Sequence, residues 1–260
     1  MGRSPDRSHA EPVPDATDHG VARGKAPPGA QTERAADLER EDAALLADGA
    51  RALGISLDES AIRTTLSYVR ELRTWARRVD LISTRDLDDV IARHVVDSLA
   101  AAPPLRALGA GLSIADLGSG AGLPGIPLAI ALRPDRMLLV ESRRRRAHFL
   151  SAVARALPDV PLVVRNERIE VLPSTLDHTF DGVVTRAAFA REAFLNVAAR
   201  LLRSGGLAIA FLGPRQVRSS GDAGVTPLGF TRVQSIAYRL PGRRHELHLA
   251  VWQHGERCFT

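Results

Sequence analysis

Apolar residues between positions 34 and 110 recur three or four residues apart, which is the spacing of one face of an α-helix. The first predicted helix ends near Gly54, and the second begins after Asp58, whose side chain can cap a helix N-terminus. A third helix begins near Asp86 and ends at Pro103-Pro104, because the residue before a proline disfavours helical geometry. We therefore predict a small helical extension over residues 34–110.

From residue 111 the pattern changes to short apolar runs that alternate with helical periodicity. The predicted strands are 112–117, 137–141, 161–165, 182–185, 207–212, 230–240 and 246–253, and the helices between them are 124–132, 143–157 and 190–203. Apolar runs separated by helices indicate a parallel sheet that is buried on both faces. The last two strands are joined by Pro241-Gly242-Arg243-Arg244, which favours an antiparallel hairpin. The predicted fold is doubly wound α/β, with a mostly parallel seven-stranded Rossmann-like sheet of the methyltransferase type and a C-terminal antiparallel hairpin.

Residues 1–33 hold five prolines and four glycines and almost no large apolar side chains. Such a segment cannot bury enough surface to offset its chain entropy, so we expect a disordered tail that the chemistry does not need. The predicted organisation is therefore a tail at 1–33, the helical extension at 34–110 and a cofactor-binding α/β domain at 111–256.

The charge balance is basic, since 35 lysines and arginines face 30 acidic residues and give a net charge of +5. Only Lys25 is a lysine, and arginine suits phosphate because its planar fork donates two hydrogen bonds at once. The single cysteine, Cys258, excludes an internal disulfide and a cysteine-rich zinc site. No apolar run reaches the length of a membrane span, and the N-terminus lacks the apolar core of a secretory signal. We expect a cytoplasmic protein that uses neither membrane nor metal.

A glycine-rich segment lies where the first predicted strand meets a helix, and it suggests a cofactor site. Gly120 to Gly125 fit the dinucleotide pattern G-x-G-x-x-G, but Asp116 extends this to D-x-G-x-G-x-G through Gly118, Gly120 and Gly122. A dinucleotide brings a pyrophosphate to the helix N-terminus, which disfavours an added carboxylate nearby. S-adenosylmethionine has no phosphate and carries a sulfonium and an ammonium, which an anion attracts. The segment therefore favours S-adenosylmethionine over NAD.

Two later positions fit an adenosyl group. Glu141 ends the second predicted strand, where a carboxylate can accept both ribose hydroxyls of either cofactor; the alternative is an acid that caps the following helix. Residues 166–170 follow the third strand, at the expected adenine edge. There Ile169 can pack on the ring and Glu170 or a backbone group can bond its amino group, or the segment is only an exposed turn.

At this point the motifs resemble those of the ribosomal RNA small subunit methyltransferase G family, also called glucose-inhibited division protein B. The resemblance covers about residues 66–252. Its most specific pieces, in order, are Arg93 to Leu99, Asp116 to Leu128, Glu141-Ser142 with Arg145-Arg146 and Phe149-Leu150, and Thr185-Arg186-Ala187.

The resemblance implies an enzyme that methylates N7 of a guanine in small-subunit ribosomal RNA, on the RNA or the ribosomal subunit, with S-adenosylmethionine as cofactor. We expect it to act as a monomer. It implies that Gly118 and Leu123 line the cofactor site, that Ile169 and Glu170 flank the adenine, and that Arg186 sits at the pocket mouth. The signature on the helical extension, near the same pocket, is Arg93, His94, Asp97 and Ser98.

Guanine N7 carries an in-plane lone pair and no proton, so its methylation needs alignment rather than a general base. We therefore nominate no acid–base residue. Arg186 can hold a guanine oxygen or a phosphate, or it can form an ion pair with a nearby acid. His94 and Asp97 share a helix face, and we favour Asp97 as a brace under the glycine loop over direct substrate contact.

Arginines 143–146 form the strongest charge run, which is either a solvated face or a phosphate-binding surface that Arg215, Arg243 and Arg244 extend. The chain also departs from the family at four positions. The family usually has asparagine at Asp80 and Ala76, and lysine at Leu212 and Arg145. These departures keep open a methyltransferase of another RNA site or of a small molecule. An NAD-dependent oxidoreductase and a non-catalytic RNA-binding relative are the remaining alternatives.

Overall fold

The computed structural model describes residues 28–83, 86–87, 89–186, 189–213, 226 and 228–255. The chain divides into two compact units, Met1–Asp37 and Leu38–Thr260. The predicted tail lies outside the described residues except at 28–33, which are helical, because helix α1 spans Pro28–Ala52. Cys258 and Arg215 also lie outside them.

The helices of the extension and of the α/β region follow in chain order. After α1 they are α2 (Glu59–Trp75), a π-helical turn (Ile91–Val95) that runs into α3 (Val96–Leu99), α4 (Ala102–Arg106), α5 (Gly125–Leu132), α6 (Arg144–Ala156) and α7 (Arg191–Leu201). The predicted cap of α2 is confirmed, since Asp58 Oδ1 accepts a hydrogen bond from the Ala61 amide at 2.8 Å.

The prediction that Pro103-Pro104 ends a helix is wrong. The two prolines instead occupy the first positions of α4. A proline is tolerated there because the first amides of a helix have no partner within the helix, and its fixed φ already suits helical geometry. The chain therefore turns at Ala100–Ala101 and starts a new helix directly.

Seven strands form one sheet, as predicted. They are β1 (Ser113–Leu117), β2 (Arg136–Val140), β3 (Leu162–Arg165), β4 (Phe180–Thr185), β5 (Leu202–Leu212), β6 (Phe230–Tyr238) and β7 (Leu247–His254). Their order is β3-β2-β1-β4-β5-β7-β6, with β1 to β5 parallel and β7 antiparallel to both its neighbours. The predicted bounds hold within about two residues except for β5, which starts five residues before the predicted Leu207, where its pairing with β4 is irregular.

Alternate side chains of the strands pack into two cores, one on each face of the sheet. Met137 and Leu139 of β2 belong to the core that also holds α2 and α3, whereas Leu138 and Val140 point to the core that holds α7. Burial on both faces fixes the register of each strand, because a slip by one residue would exchange the two faces. The carboxyl ends of β1, β2 and β4 therefore meet at one edge of the sheet, beside the helical extension.

Candidate active site

A cavity of about 590 Å³ opens at the carboxyl edge of β1, β2 and β4. Its lining comes from the glycine loop, the ends of β2 and β4, and the helical extension. The residues are Leu81, Ile82, His94, Gly118, Ser119, Gly120, Ala121, Leu123, Glu141, Arg143, Arg146, Arg186 and Phe189. Ligands of open α/β sheets bind at this edge.

The glycine loop is a tight turn held by the end of β2. The amides of Gly118 and Ser119 both donate to the Val140 carbonyl, at 2.9 and 3.0 Å. Gly118, Gly120 and Gly122 have φ of 75°, 55° and 88°, which residues with a Cβ rarely adopt. These three glycines are therefore required by the backbone path, as the sequence suggested.

Asp116 lies under this loop rather than in the cavity lining. Its side chain is fully buried, and Oδ2 accepts a hydrogen bond from the amide of Gly125, the first residue of α5, at 3.0 Å. Oδ1 has no hydrogen-bond partner among the residues that the structure describes. Burial raises the pKa of Asp116 to about 7. A dinucleotide would have to place its pyrophosphate where this carboxylate already meets the helix N-terminus, which argues against NAD.

Glu141 faces the cavity and also caps the following helix. It can therefore fill both roles that the sequence left open, as a ribose acceptor and as a helix cap. It is 5% exposed and lines the cavity, yet Oε2 accepts from the Gly120 amide at 3.0 Å and Oε1 from the Arg143 amide at 2.7 Å. Arg143 is the N-cap position of α6, so the carboxylate supports the glycine loop and the helix start together. A carboxylate has about four lone-pair sites, so it retains acceptor capacity for a ligand.

A second cavity of about 190 Å³ adjoins the first and shares Gly118 and Phe189 with it. The predicted adenine residues line it: Ile169 is buried at the base, and Glu170 lies on the rim, 3.5 Å from Arg168. Phe189 was not predicted. It could have been identified from the sequence as an aromatic residue just beyond the end of β4, where an adenosyl ligand of this fold would pass.

Arg186 is held in an ion pair, the alternative that the sequence left open, and it also lines the cavity. Its Nη2 lies 2.9 Å from Asp97 Oδ2 and 2.9 Å from His94 Nδ1, and Nη1 donates to the His94 carbonyl at 3.3 Å. The guanidinium carbon lies 6.0 Å from the ring centroid of Phe211. The orientation of Arg186 is therefore fixed from three sides.

Asp97 braces Arg186, which differs from the predicted brace under the glycine loop. Its other oxygen accepts a hydrogen bond from Tyr238 Oη at 2.5 Å, and burial raises the pKa of Asp97. The loop is braced by Tyr68 of α2, which is fully buried and donates to the Ala121 carbonyl at 2.8 Å. A tyrosine on the buried face of an amphipathic helix was the available signal, because its hydroxyl needs a partner there.

The other signature residues divide between support and cavity. Arg93 pairs on the surface with Asp86 and Asp89, at 2.8 and 2.9 Å, and Ser98 Oγ donates to the His94 carbonyl at 2.6 Å. His94 lines the cavity, and burial followed by the charge of Arg186 lowers its pKa to about 4.

The structure shows where three of the four residues that depart from the family pattern lie. Asp80 holds Arg146, whose Nε donates to the Asp80 carbonyl at 2.9 Å and whose Nη2 lies 3.3 Å from its carboxylate. This contact brings the segment with Leu81 beside the glycine loop. Ala76 is the C-cap of α2, and Leu212 pairs in register with His248 of β7.

Among the residues that the structure describes, no group of three or more histidine, cysteine or acidic side chains could hold a metal ion. Within that same part of the chain, no helix has the length and apolar character needed to cross a membrane.

Comparisons with known proteins agree with this geometry. A family model described as rRNA small subunit methyltransferase G matches residues 61–220. The ribosomal RNA small subunit methyltransferase G of Pseudomonas aeruginosa strain LESB58 is 33% identical over 206 residues, covering 79% of this chain and 92% of that protein. That of Burkholderia pseudomallei strain 668 is 35% identical over 208 residues, covering 79% and 88%.

The fold is also found among solved structures. A mutein of the branched-chain polyamine synthase of Thermus thermophilus is similar, with a TM-score of 0.53 and 16% identity, over 74% of this chain and 65% of that one. The seven-stranded sheet is thus a known architecture. The family model and the two relatives carry the identification: the chain belongs to the ribosomal RNA small subunit methyltransferase G family.

Proposed function

We propose that this chain transfers the methyl group of S-adenosylmethionine to N7 of a guanine in small-subunit ribosomal RNA. The observation that carries the proposal is the pair of adjoining cavities at the carboxyl edge of the sheet, joined at Gly118 and Phe189. One cavity suits an adenine, and the larger one has room for the remainder of the cofactor and an incoming base. Family membership supplies the substrate class.

The residues present fit S-adenosylmethionine, which supplies an electrophilic methyl group when it is bound. Gly118, Gly120 and Leu123 form the loop side of the site, and Gly122 permits the turn. Glu141 would accept hydrogen bonds from the ribose hydroxyls. Ile169 and Glu170 would hold the adenine, and Asp116, beneath the loop, would add a negative charge when it is ionised.

Catalysis by this chain consists of positioning. Since N7 has no proton to lose, no side chain has to act as a general base, and the task is to align the lone pair with the methyl group. Arg186 is suited to orient the substrate because its guanidinium is already fixed by Asp97 and His94. A preorganised donor loses little freedom when the substrate arrives.

Arginines at the start of α6 border the cavity, where they can contact the RNA backbone. Arg143 is exposed at the start of α6 and lines the cavity. Arg243, in the β6–β7 turn, lies close enough for its charge to add to the burial that lowers the pKa of His94 and to oppose the burial that raises the pKa of Asp97. Phosphate contacts of this kind make affinity fall as salt rises. We further propose that the protein acts as a cytoplasmic monomer, in which the cofactor domain follows the helical extension at residue 111. Helix α1 runs through the predicted tail boundary at residue 33.

Two experiments test the proposal. Calorimetric titration with S-adenosylmethionine, S-adenosylhomocysteine and NAD should give binding of the two adenosyl compounds alone. Incubation of purified small ribosomal subunits with labelled S-adenosylmethionine should then give one 7-methylguanosine per RNA. Binding of the cofactor without methylation of these subunits would favour another RNA site, a small molecule or a non-catalytic relative instead.

Glu141→Ala should weaken binding of S-adenosylmethionine by about 1–3 kcal/mol, the value of charge-assisted hydrogen bonds, or roughly ten- to a hundredfold in dissociation constant. The loss has two sources, since the carboxylate both faces the cavity and holds the Gly120 and Arg143 amides. Calorimetry measures it. Glu192→Ala, at an exposed position of α7 outside both cavities, is the control, and an affinity unchanged by Glu141→Ala would remove Glu141 from the site.

Gly125→Ala should destabilise the fold by about 1–3 kcal/mol and weaken cofactor binding at least about tenfold. An added Cβ would lie 2.5 Å from Leu139 Cδ2 and 2.7 Å from Asp116 Oδ2, so the carboxylate and the glycine loop must shift. Gly49→Ala is a matched control, because its Cβ would lie 2.6 Å from Val96 Cγ2, away from the cavity. It should lower the urea midpoint similarly and leave affinity unchanged; equal affinity losses would contradict the argument.

A further inference from the structure

The contact with Arg186 fixes the protonation of His94. A guanidinium can only donate hydrogen bonds, so His94 Nδ1, 2.9 Å from Arg186 Nη2, must be the acceptor. A neutral imidazole that accepts at Nδ1 carries its hydrogen at Nε2. The low pKa of about 4 agrees, because an imidazolium would have no lone pair for Arg186.

The Nε2–H donor has no hydrogen-bond partner among the described residues and is shielded from solvent. The nearest acid is Asp86, whose Oδ2 lies 3.9 Å away, beyond hydrogen-bond distance. That carboxylate accepts from Ser83 Oγ at 2.6 Å and from Arg93 Nη1 at 2.8 Å, and these two contacts hold it at its distance from His94 Nε2. The imidazole itself is 18% exposed and lines the large cavity.

An unpartnered buried donor is costly, and the imidazole that carries it lines a ligand cavity, so a base that enters and displaces this ring slightly can supply the missing acceptor. We propose that His94 Nε2–H donates a hydrogen bond to the carbonyl oxygen of the substrate base, O6 of guanine, and so selects and orients the base for methylation. This inference rests on the proposed function and adds to it the residue that recognises the base.

A neutral donor suits this reaction better than a charged one. The carbonyl O6 and the nucleophilic N7 lie on the same edge of guanine, so a donor that engages O6 leaves the N7 lone pair free. A neutral imidazole also adds no positive charge beside the cationic sulfonium. Arg186 therefore has a second role, because it holds His94 in the tautomer that presents this single N–H.

Two amide variants separate the nitrogens of the ring. Asparagine at position 94 can place an acceptor near Nδ1 but no donor near Nε2, whereas glutamine reaches the Nε2 position with its amide nitrogen. The readouts are the dissociation constant of S-adenosylmethionine by calorimetry and the single-turnover rate on purified small subunits at saturating cofactor. We expect both variants to bind cofactor within about twofold of wild type, and His94→Asn to lose about ten- to a hundredfold in rate, which His94→Gln largely restores.

A substrate change tests the same contact with the unaltered enzyme. Small subunits reconstituted with 2-aminopurine at the methylated position retain N7 and lack O6. The wild type should lose about as much rate on them as His94→Asn loses on normal subunits, and His94→Asn should lose nothing further.

Three results would overturn the inference. Equal rates for His94→Asn and His94→Gln would mean a purely structural role, and additive losses with 2-aminopurine would mean that His94 does not meet O6. A tenfold weaker cofactor affinity of His94→Asn with an unchanged single-turnover rate would assign the donor to the cofactor carboxylate. An inactive wild type would refute the proposed function itself, which these outcomes distinguish.

Discussion

Asp116→Asn is expected to make the folded protein more stable than wild type at pH 8, while leaving stability at pH 4 nearly unchanged. The pKa of Asp116 is about 7 in the folded protein against 3.8 in the unfolded chain, so the folded state binds the extra proton. Wild-type stability from this group is therefore present at low pH and is lost as pH rises from about 4 to about 7. The difference between these two pKa values corresponds to about 4 kcal/mol.

Urea unfolding of the variant and the wild type at several pH values between 4 and 8 measures this difference. The asparagine side chain in Asp116→Asn keeps an oxygen that can accept from the Gly125 amide, so the helix start is preserved. Asp135→Asn, at an exposed position before β2, is the control for a general effect of charge. A stability difference that stays constant between pH 4 and 8 would contradict the buried, protonated carboxyl.

The same variant reports on the cofactor. If Asp116 serves to attract a cation through the loop, its removal should weaken S-adenosylmethionine more than the uncharged thioether S-adenosylhomocysteine. Comparing the two dissociation constants isolates the sulfonium charge, since the rest of the ligand is shared. An equal change for both compounds would leave Asp116 with the structural role alone.

Arg186→Met is expected to destabilise the protein by about 3–5 kcal/mol, the cost of leaving one member of a buried ion pair uncompensated. Asp97 is 5% exposed and, among the described residues, would keep the Tyr238 hydroxyl as its hydrogen-bond donor. Adding Asp97→Asn to Arg186→Met should recover much of the loss. Urea unfolding of the two single variants and the double variant gives the coupling free energy of the pair.

An exposed pair provides the control for this cycle. Arg203 and Asp181 are also 2.9 Å apart, but the Arg203 side chain is 52% exposed, so Arg203→Met should cost no more than about 1 kcal/mol. A coupling free energy near zero for Arg186 and Asp97 would mean that Arg186 is free to reach for substrate and is not held by the acid.

The sheet and the glycine loop could be predicted because each depends on neighbours in sequence. The strands appear as apolar runs, and Gly118, Gly120 and Gly122 mark a backbone path that other residues rarely follow. Pro103-Pro104 misled the prediction, since a proline pair interrupts one helix and starts the next with equal ease. Local pattern alone does not distinguish the two.

The cross-links of the site could not be predicted, because they join residues far apart along the chain. Tyr68 reaches Ala121 and Tyr238 reaches Asp97, yet nothing near either tyrosine in the sequence identifies its acceptor. The roles of Asp116 and Arg186 have the same origin. Their residue types indicated a charged site. Whether each charge faces the ligand or stabilises neighbouring parts of the protein depends on its burial and on its hydrogen-bond and ion-pair partners.

The contact between Tyr238 and Asp97 has a consequence for how the protein is made. In the sheet β7 lies between β5 and β6, so β6 cannot dock until β7 has emerged. Domains begin to fold from the N-terminus during synthesis. Here, however, Asp97 beside the cavity obtains its hydrogen bond from Tyr238 of β6, the penultimate strand in the sequence. A nascent chain released before β7 would therefore carry the whole glycine loop without the Tyr238 contact that holds Asp97 beside Arg186, and we expect its cavity to be incomplete.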